Sequence, residues 1–241
     1  MNELLFFVSI ILCFGLLILL HKFFGKEGVY VWIATATILA NIEVTKNISL
    51  FGISDFVTLG NVTFSSVFLA TDILNECYGF KEGKKGVLLG TIINIAFVLV
   101  IQLDLLFKPS ASGEFIHDTM TNLFGLNSNY IWVSVASVLM FFVANIIDVY
   151  IFDKIKKATK GKHLWLRNNV ATIISNCIEN FLFVFLGYYV LQIIFNGESI
   201  YAFKDCMIIA LTTCGIEIVI SLLDTPFLYL AKKIKGEKLY D

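Results

Sequence analysis

Asp72, Asp148 and Asp224 stand 76 residues apart in strongly apolar surroundings, and each is followed nine residues later by a lysine: Lys81, Lys157 and Lys233. If those lysines mark a membrane surface, nine helical residues place each acid roughly 13 Å inside a hydrocarbon layer about 30 Å thick. A carboxylate at that depth is costly unless it faces water, a partner or a ligand, so intramembrane acids mark function by default. The competing reading is hydrogen bonding between helices in a polar bundle core.

Other polar residues repeat at helical spacing. Asp72, Asn75 and Glu76 stand at i, i+3 and i+4, as do Asn176, Glu179 and Asn180; Asn145 and Asp148 are three apart, and Glu217, Ser221 and Asp224 fall at i, i+4 and i+7. Each set shares one helix face. Four such stripes, turned away from lipid, can surround a small polar molecule. No Lys or Arg lies deep inside any apolar segment, so phosphates, nucleotides and carboxylic acids are poor ligands. A carboxylate accepts two parallel hydrogen bonds from a planar amidine-like edge, and Asn both donates and accepts, which matches a neutral or cationic, guanine-like heterocycle. Phe68, Phe141, Phe181 and Tyr188 are among the rings available to stack on it, but 23 Phe in the chain single out none of them.

These residues need apolar helices to hold them. The 241 residues are 58% hydrophobic and 15% charged, with only 2 Pro, the composition of a polytopic membrane protein. Seven segments are long enough to span, roughly residues 4–20, 29–44, 62–78, 86–107, 130–152, 170–195 and 207–231. The expected fold is therefore an all-α, polytopic membrane helical bundle. Alternate loops hold fifteen of the eighteen basic residues: Lys22 and Lys26; Lys81, Lys84 and Lys85; Lys154, Lys156, Lys157, Lys160, Lys162 and Arg167; Lys232, Lys233, Lys235 and Lys238. The positive-inside rule makes that side cytoplasmic, the N-terminus outside and the C-terminus inside. The first segment lacks a basic n-region and a small-residue cleavage site, and reads as a retained helix. One integral membrane domain, 1–241, is expected, with no separate ATPase or catalytic module.

Several chemistries are disfavoured. The five cysteines form no C-x-x-C pair and read as small buried hydrophobes. His21, His117 and His163 fall in loops without a second ligand at helical spacing, so no metal site is expected. A glycine-rich phosphate loop is missing, and no cofactor is implied. The spans offer no His to serve an intramembrane enzyme, so a non-enzymatic role is favoured.

The run Phe68-Leu69-Ala70-Thr71-Asp72-Ile73-Leu74-Asn75-Glu76-Cys77-Tyr78-Gly79 resembles the signature of the bacterial queuosine precursor transporters, a vitamin-uptake-like family. Ala144-Asn145-Ile146-Ile147-Asp148-Val149-Tyr150-Ile151-Phe152, a basic loop, Trp165 and then Asn176-Cys177-Ile178-Glu179-Asn180 look like the rest of that family's core. The resemblance implies import, across the bacterial inner membrane, of 7-deazaguanine bases used to modify tRNA: 7-cyano-7-deazaguanine, its 7-aminomethyl analogue or queuine. It carries substrate binding onto Asp72, Glu76, Asn145, Asp148, Asn176 and Glu179. The residue reading adds Asn180, with Asn75, Glu217 and Asp224 as further candidates. It also implies a six-helix transport core over 28–231, with 1–24 an additional N-terminal helix. The partners expected are a purine-like small molecule and the lipid bilayer, and no nucleic acid. A carrier with a midplane site exposed alternately to each side is the favoured mechanism. The alternative is a substrate-binding subunit of an energy-coupling-factor-type vitamin importer.

Overall fold

A computed structural model describes residues 1–125 and 130–236. In order, these residues form α1 (Asn2–Glu43), the strands β1 (Asn47–Leu50) and β2 (Ile53–Thr58), α2 (Gly60–Tyr78), α3 (Phe80–Asp104), α4 (Glu114–Phe124), α5 (Tyr130–Ala158), α6 (Leu164–Val184), a π-helical stretch (Phe185–Val190), α7 (Leu191–Asn196) and α8 (Phe203–Lys235). Among the described residues, five helical runs are long and apolar enough to cross a membrane: Asn2–Glu43, Phe80–Asp104, Ile131–Ala158, Leu164–Asn196 and Phe203–Lys235. The protein is a multi-pass helical membrane protein. Its outward faces carry Leu88, Ile92, Leu99, Leu211 and Leu222, as a surface in contact with lipid requires.

The 42 residues of α1 do not run straight. Gly25 adopts φ 60° and ψ −138°, a conformation open to glycine, and reverses the chain there. A Cβ on Gly28 would meet the Leu20 carbonyl oxygen at 2.2 Å, so the returning half packs directly on the outgoing one. The two ends show the reversal: Asn2 Nδ2 donates to Ser49 O at 2.8 Å at the hairpin end, and His21 Nε2 lies 3.1 Å from Tyr78 Oη at the opposite end. The segments 4–20 and 29–44 are thus two arms of one kinked helix. His21, expected in a loop, is buried within it.

α2 is absent from the apolar runs because it does not meet lipid. Nearly all of its 19 residues are buried, with α1, α3, α5 and α8 packed around it. Being enclosed by protein, it can carry Asn61, Thr63, Ser66, Thr71, Asp72, Asn75 and Glu76 as long as other helices or a ligand satisfy them. Trp32 Nε1, for instance, donates to Ser66 Oγ at 3.0 Å. α3 turns a stripe of small residues, Gly83, Gly86 and Gly90, toward this centre and leaves its apolar side outside. Gly79 links α2 to α3 at φ 97° and ψ 164°, which explains the glycine that closes the signature run.

Three elements had no counterpart in the periodicity. The antiparallel hairpin β1–β2 pairs Ile48 with Val57 and caps one end of the bundle. α4 has no fully buried residue and carries His117. The π-helical stretch interrupts the sixth segment. Cys177 and Cys214 correct the expectation that all five cysteines are small buried hydrophobes: they form a disulfide between α6 and α8, while Cys13, Cys77 and Cys206 take part in no disulfide.

Candidate functional site: three polar tiers through the bundle

The site residues expected from sequence all face the interior, but they divide into three tiers along the bundle axis. From Arg167 to Glu179 along α6 the rise is about 18 Å, which measures the stack.

At the lysine-rich end, Glu76 is the hub. Arg167 donates Nε to Oε2 at 3.0 Å and Nη2 to Oε1 at 2.7 Å, Lys232 Nζ donates to Oε1 at 2.6 Å, and Lys156 Nζ lies 3.2 Å from Oε2. Lys156 also donates to the Glu76 carbonyl at 2.9 Å. Helices α2, α5, α6 and α8 are thereby tied through one carboxylate. Asn75 joins the same lock through Nδ2 to Val149 O at 3.1 Å. Arg167 is fully buried, which corrects the expectation that the basic residues stay in water-facing loops. Of the cations counted from sequence, Lys238 lies outside the described residues.

One turn deeper sit the three equally spaced aspartates. Asp72 of α2, Asp148 of α5 and Asp224 of α8 are each at most 1% exposed, and their carboxyl groups interact with one another. α6 completes the tier: Thr172 Oγ1 is 3.5 Å from Asp72 Oδ2, Ser175 Oγ is 3.1 Å from Asp148 Oδ1, and Asn168 Nδ2 donates to Asp224 Oδ1 at 2.6 Å. Asp72 Oδ1 and Asp148 Oδ2 receive no hydrogen bond from the described residues. Above this tier, Asn145 Oδ1 and both ends of the Asn176 side chain are likewise buried without partners.

The third tier is a cavity near the hairpin end, about 730 Å³ with its mouth included. Glu179 and Asn180 of α6 and Glu217 of α8 line it, facing Asn41 of α1, Asn61 of α2 and Asn94 of α3. Phe64, Phe141, Phe183 and Tyr188 supply ring faces, and no Lys or Arg lines it. Most of the polar groups are already held. Asn180 Nδ2 donates to Glu217 Oε2 at 2.6 Å, Asn41 Nδ2 donates to Asn94 Oδ1 at 2.9 Å, and Thr58 Oγ1 donates to Asn61 Oδ1 at 2.7 Å. Among the described residues Asn61 Nδ2 has no partner, and the Glu179 carboxylate shares the wall with that of Glu217. The π-helical stretch carries Tyr188 into the wall, a common use of such distortions.

Of the residues singled out from sequence, Glu179, Asn180 and Glu217 line the cavity. Asp72, Asn145, Asp148, Asn176 and Asp224 lie beneath it, and Asn75 and Glu76 belong to the lock at the far end. Sequence reasoning missed Asn41, Asn61 and Asn94 on the opposite wall. Lone amides in apolar segments were the available signal, and Asn94 continues the glycine stripe of α3.

The sequence profile of a family described as "Putative vitamin uptake transporter" matches residues 58–231. A Bacillus subtilis (strain 168) protein named "Probable queuosine precursor transporter" is 35% identical over 225 residues, covering 93% of this chain and 92% of that one. The chain belongs to the queuosine precursor transporter family. A second protein of the same name, from Haemophilus influenzae (strain ATCC 51907 / DSM 11121 / KW20 / Rd), is 23% identical over 151 residues, 61% of this chain and 60% of its own. No solved structure matches significantly. As in the resemblance noted from sequence, the signature run of this family member begins at Phe68 and ends at Gly79, and three of its polar residues now have distinct places: Asp72 in the aspartate tier, Asn75 and Glu76 in the lock.

Proposed function

We propose that this chain imports queuosine precursors, 7-deazaguanine bases such as 7-cyano-7-deazaguanine, 7-aminomethyl-7-deazaguanine or queuine, across the bacterial cytoplasmic membrane. The observation that carries the proposal is Glu179: a carboxylate in the wall of a cavity lined by amides and rings and lacking any basic side chain. A deazaguanine presents an N–H and an adjacent amino group in parallel, the edge a carboxylate accepts best, and a carbonyl within reach of an amide N–H such as that of Asn61. The relatives' names support the same substrate class.

The single domain crosses the membrane seven times, with the two arms of α1 counted separately. Its hairpin end faces outside and its lysine end faces the cytoplasm, in keeping with the distribution of basic residues. The six-helix core 28–231 performs transport, and 1–24 is an added arm. With the cavity at the hairpin end and the Glu76 ion cluster shut beneath, the arrangement is that of a carrier loaded from outside, which must part α2, α5, α6 and α8 around Glu76 to release inward.

The test is a bacterial strain lacking both its own importer and its own synthesis of the modified base. Expressing this chain alone and feeding each of the three bases should restore the modified nucleoside in tRNA. Failure with all three would remove the proposal. Restoration that required added ATPase subunits would instead favour a substrate-binding subunit of a larger importer.

A further inference from the structure

Resting on that transport reading, we propose that Asp72 and Asp148 form a proton site distinct from the base pocket, filled and emptied once per cycle so that uptake is driven by the proton gradient. Both carboxyl groups are fully buried, neither lines the cavity, and both reach α6 within one turn, Thr172 Oγ1 lying 3.5 Å from Asp72 Oδ2 and Ser175 Oγ 3.1 Å from Asp148 Oδ1. Their second oxygens, Asp72 Oδ1 and Asp148 Oδ2, receive no hydrogen bond from the described residues. A proton held by this pair is the smallest group that relieves them.

Charge counting gives the same answer. Four acids meet in this half of the bundle, Asp72, Asp148, Asp224 and Glu76, against three cations, Arg167, Lys156 and Lys232. All three cations bond Glu76, so the buried group is one positive charge short of balance, and an uncompensated buried charge is expensive. A single proton closes the gap. Among the described residues, the side chains that bond the three aspartates add no other charge. α6 contributes Thr172, Ser175 and Asn168, which are neutral, and α8 contributes Asp224, held by Asn168. α1 and α3 meet α2 through apolar contacts such as Ile33 and Leu74 around Gly86 and through Trp32 and His21 of α1, which bond Ser66 and Tyr78; Lys26 of α1 and Glu82 of α3 pair with each other.

A route to the site is built in. Asn176 lies one turn from Thr172 on the same face of α6, and Asn145 lies one turn from Asp148 on α5. Asn176 is 1% exposed with both side-chain ends unpartnered, and Asn145 Oδ1 is unpartnered too. These amides stand between the aspartates and Glu179 and give the path from the cavity inward a polar lining. Entry of a proton from outside with the base, its residence on the Asp72–Asp148 pair, and its release toward the cytoplasm when the Glu76 lock opens would tie one proton to each turnover. A metal cation fits less well: among the described residues no group of His, Cys, Asp or Glu side chains is spaced to hold one.

The experiment uses the purified full chain in liposomes with a pH-sensitive dye inside, each of the three bases supplied in turn. For the wild type, base entry should acidify the lumen, and an inward proton gradient should raise accumulation several-fold over no gradient. Asp72→Asn and Asp148→Asn should abolish the acidification and reduce gradient-driven accumulation at least tenfold, with a much smaller fall in counterflow, which needs no gradient. Should either variant fail to fold, the wild-type proton flux still decides. Base entry by the wild type without acidification would overturn the proposal, as would accumulation driven by a sodium gradient alone, or a gradient response in Asp148→Asn equal to the wild type. Wild-type counterflow with none of the bases would remove the transport reading itself.

Discussion

Glu76 and Arg167 meet through two parallel hydrogen bonds, 3.0 and 2.7 Å long, although 91 positions separate them in the chain. The pair is completely buried and its fork geometry is that of the strongest ion pairs proteins make. Glu76→Gln removes the charge that compensates Arg167 and Lys232 together. Breaking such a buried pair costs about 3–5 kcal/mol, so the variant should show a sharply lower melting temperature in detergent and reduced yield. Arg167→Met should be comparably damaging, and a double-mutant cycle should show strong non-additivity. Independent, additive effects would mean that the ion cluster is not a unit.

The pocket behaves differently. Among the described residues no hydrogen bond holds the Glu179 carboxylate, so Glu179→Gln should lower the melting temperature far less than Glu76→Gln does. A hydrogen bond to a charged group contributes about 1.5–3 kcal/mol, and its loss should weaken binding of the base roughly 10- to 150-fold. Glu217→Gln is predicted to act on both counts, because Glu217 also anchors Asn180 at 2.6 Å. Equilibrium binding and melting curves on the two variants separate these outcomes.

The contrast between Glu76 and Glu179 shows how far sequence alone reaches. Periodicity and the acid stripes indicated a helical membrane bundle and which faces turn inward, because burial of apolar area and exclusion of charge from lipid are local rules written along each helix. Helical spacing cannot say at what depth two helices meet, so seven or more residues that looked like one pocket resolve into three tiers. Arg167 was unreadable for the same reason. A basic residue at a helix start looks like a loop cation until a partner on another helix is seen. Asn41 and Asn94, 53 positions apart and bonded at 2.9 Å, are single amides whose pairing is purely tertiary.

Gly79 is expected to be irreplaceable for backbone reasons. At φ 97° and ψ 164° it sits where L side chains are strained by about 1–3 kcal/mol. Open space surrounds the position, so Gly79→Ala meets no steric obstacle beyond its own backbone. The variant should lose stability by that amount with the pocket's affinity for base unchanged, as read by melting curves beside a binding isotherm. A larger effect on binding than on melting would mean that the α2–α3 corner moves during transport.

Topology gives the last prediction. The hairpin end carries the cavity mouth and the exposed loop around Ser112, whereas Lys160 sits in the turn between α5 and α6 beside the Arg167 lock. Single cysteines introduced as Ser112→Cys and Lys160→Cys are both at exposed positions, while Cys77 and Cys206 are buried and Cys177 and Cys214 are bonded to each other. In intact cells a membrane-impermeant thiol reagent should modify Ser112→Cys promptly and leave Lys160→Cys unmodified until the membrane is opened. Fifteen of eighteen basic residues favour the lysine end inside. Labelling of Lys160→Cys from outside would reverse the orientation, turning the open cavity toward the cytoplasm and the Glu76 cluster into an outer gate.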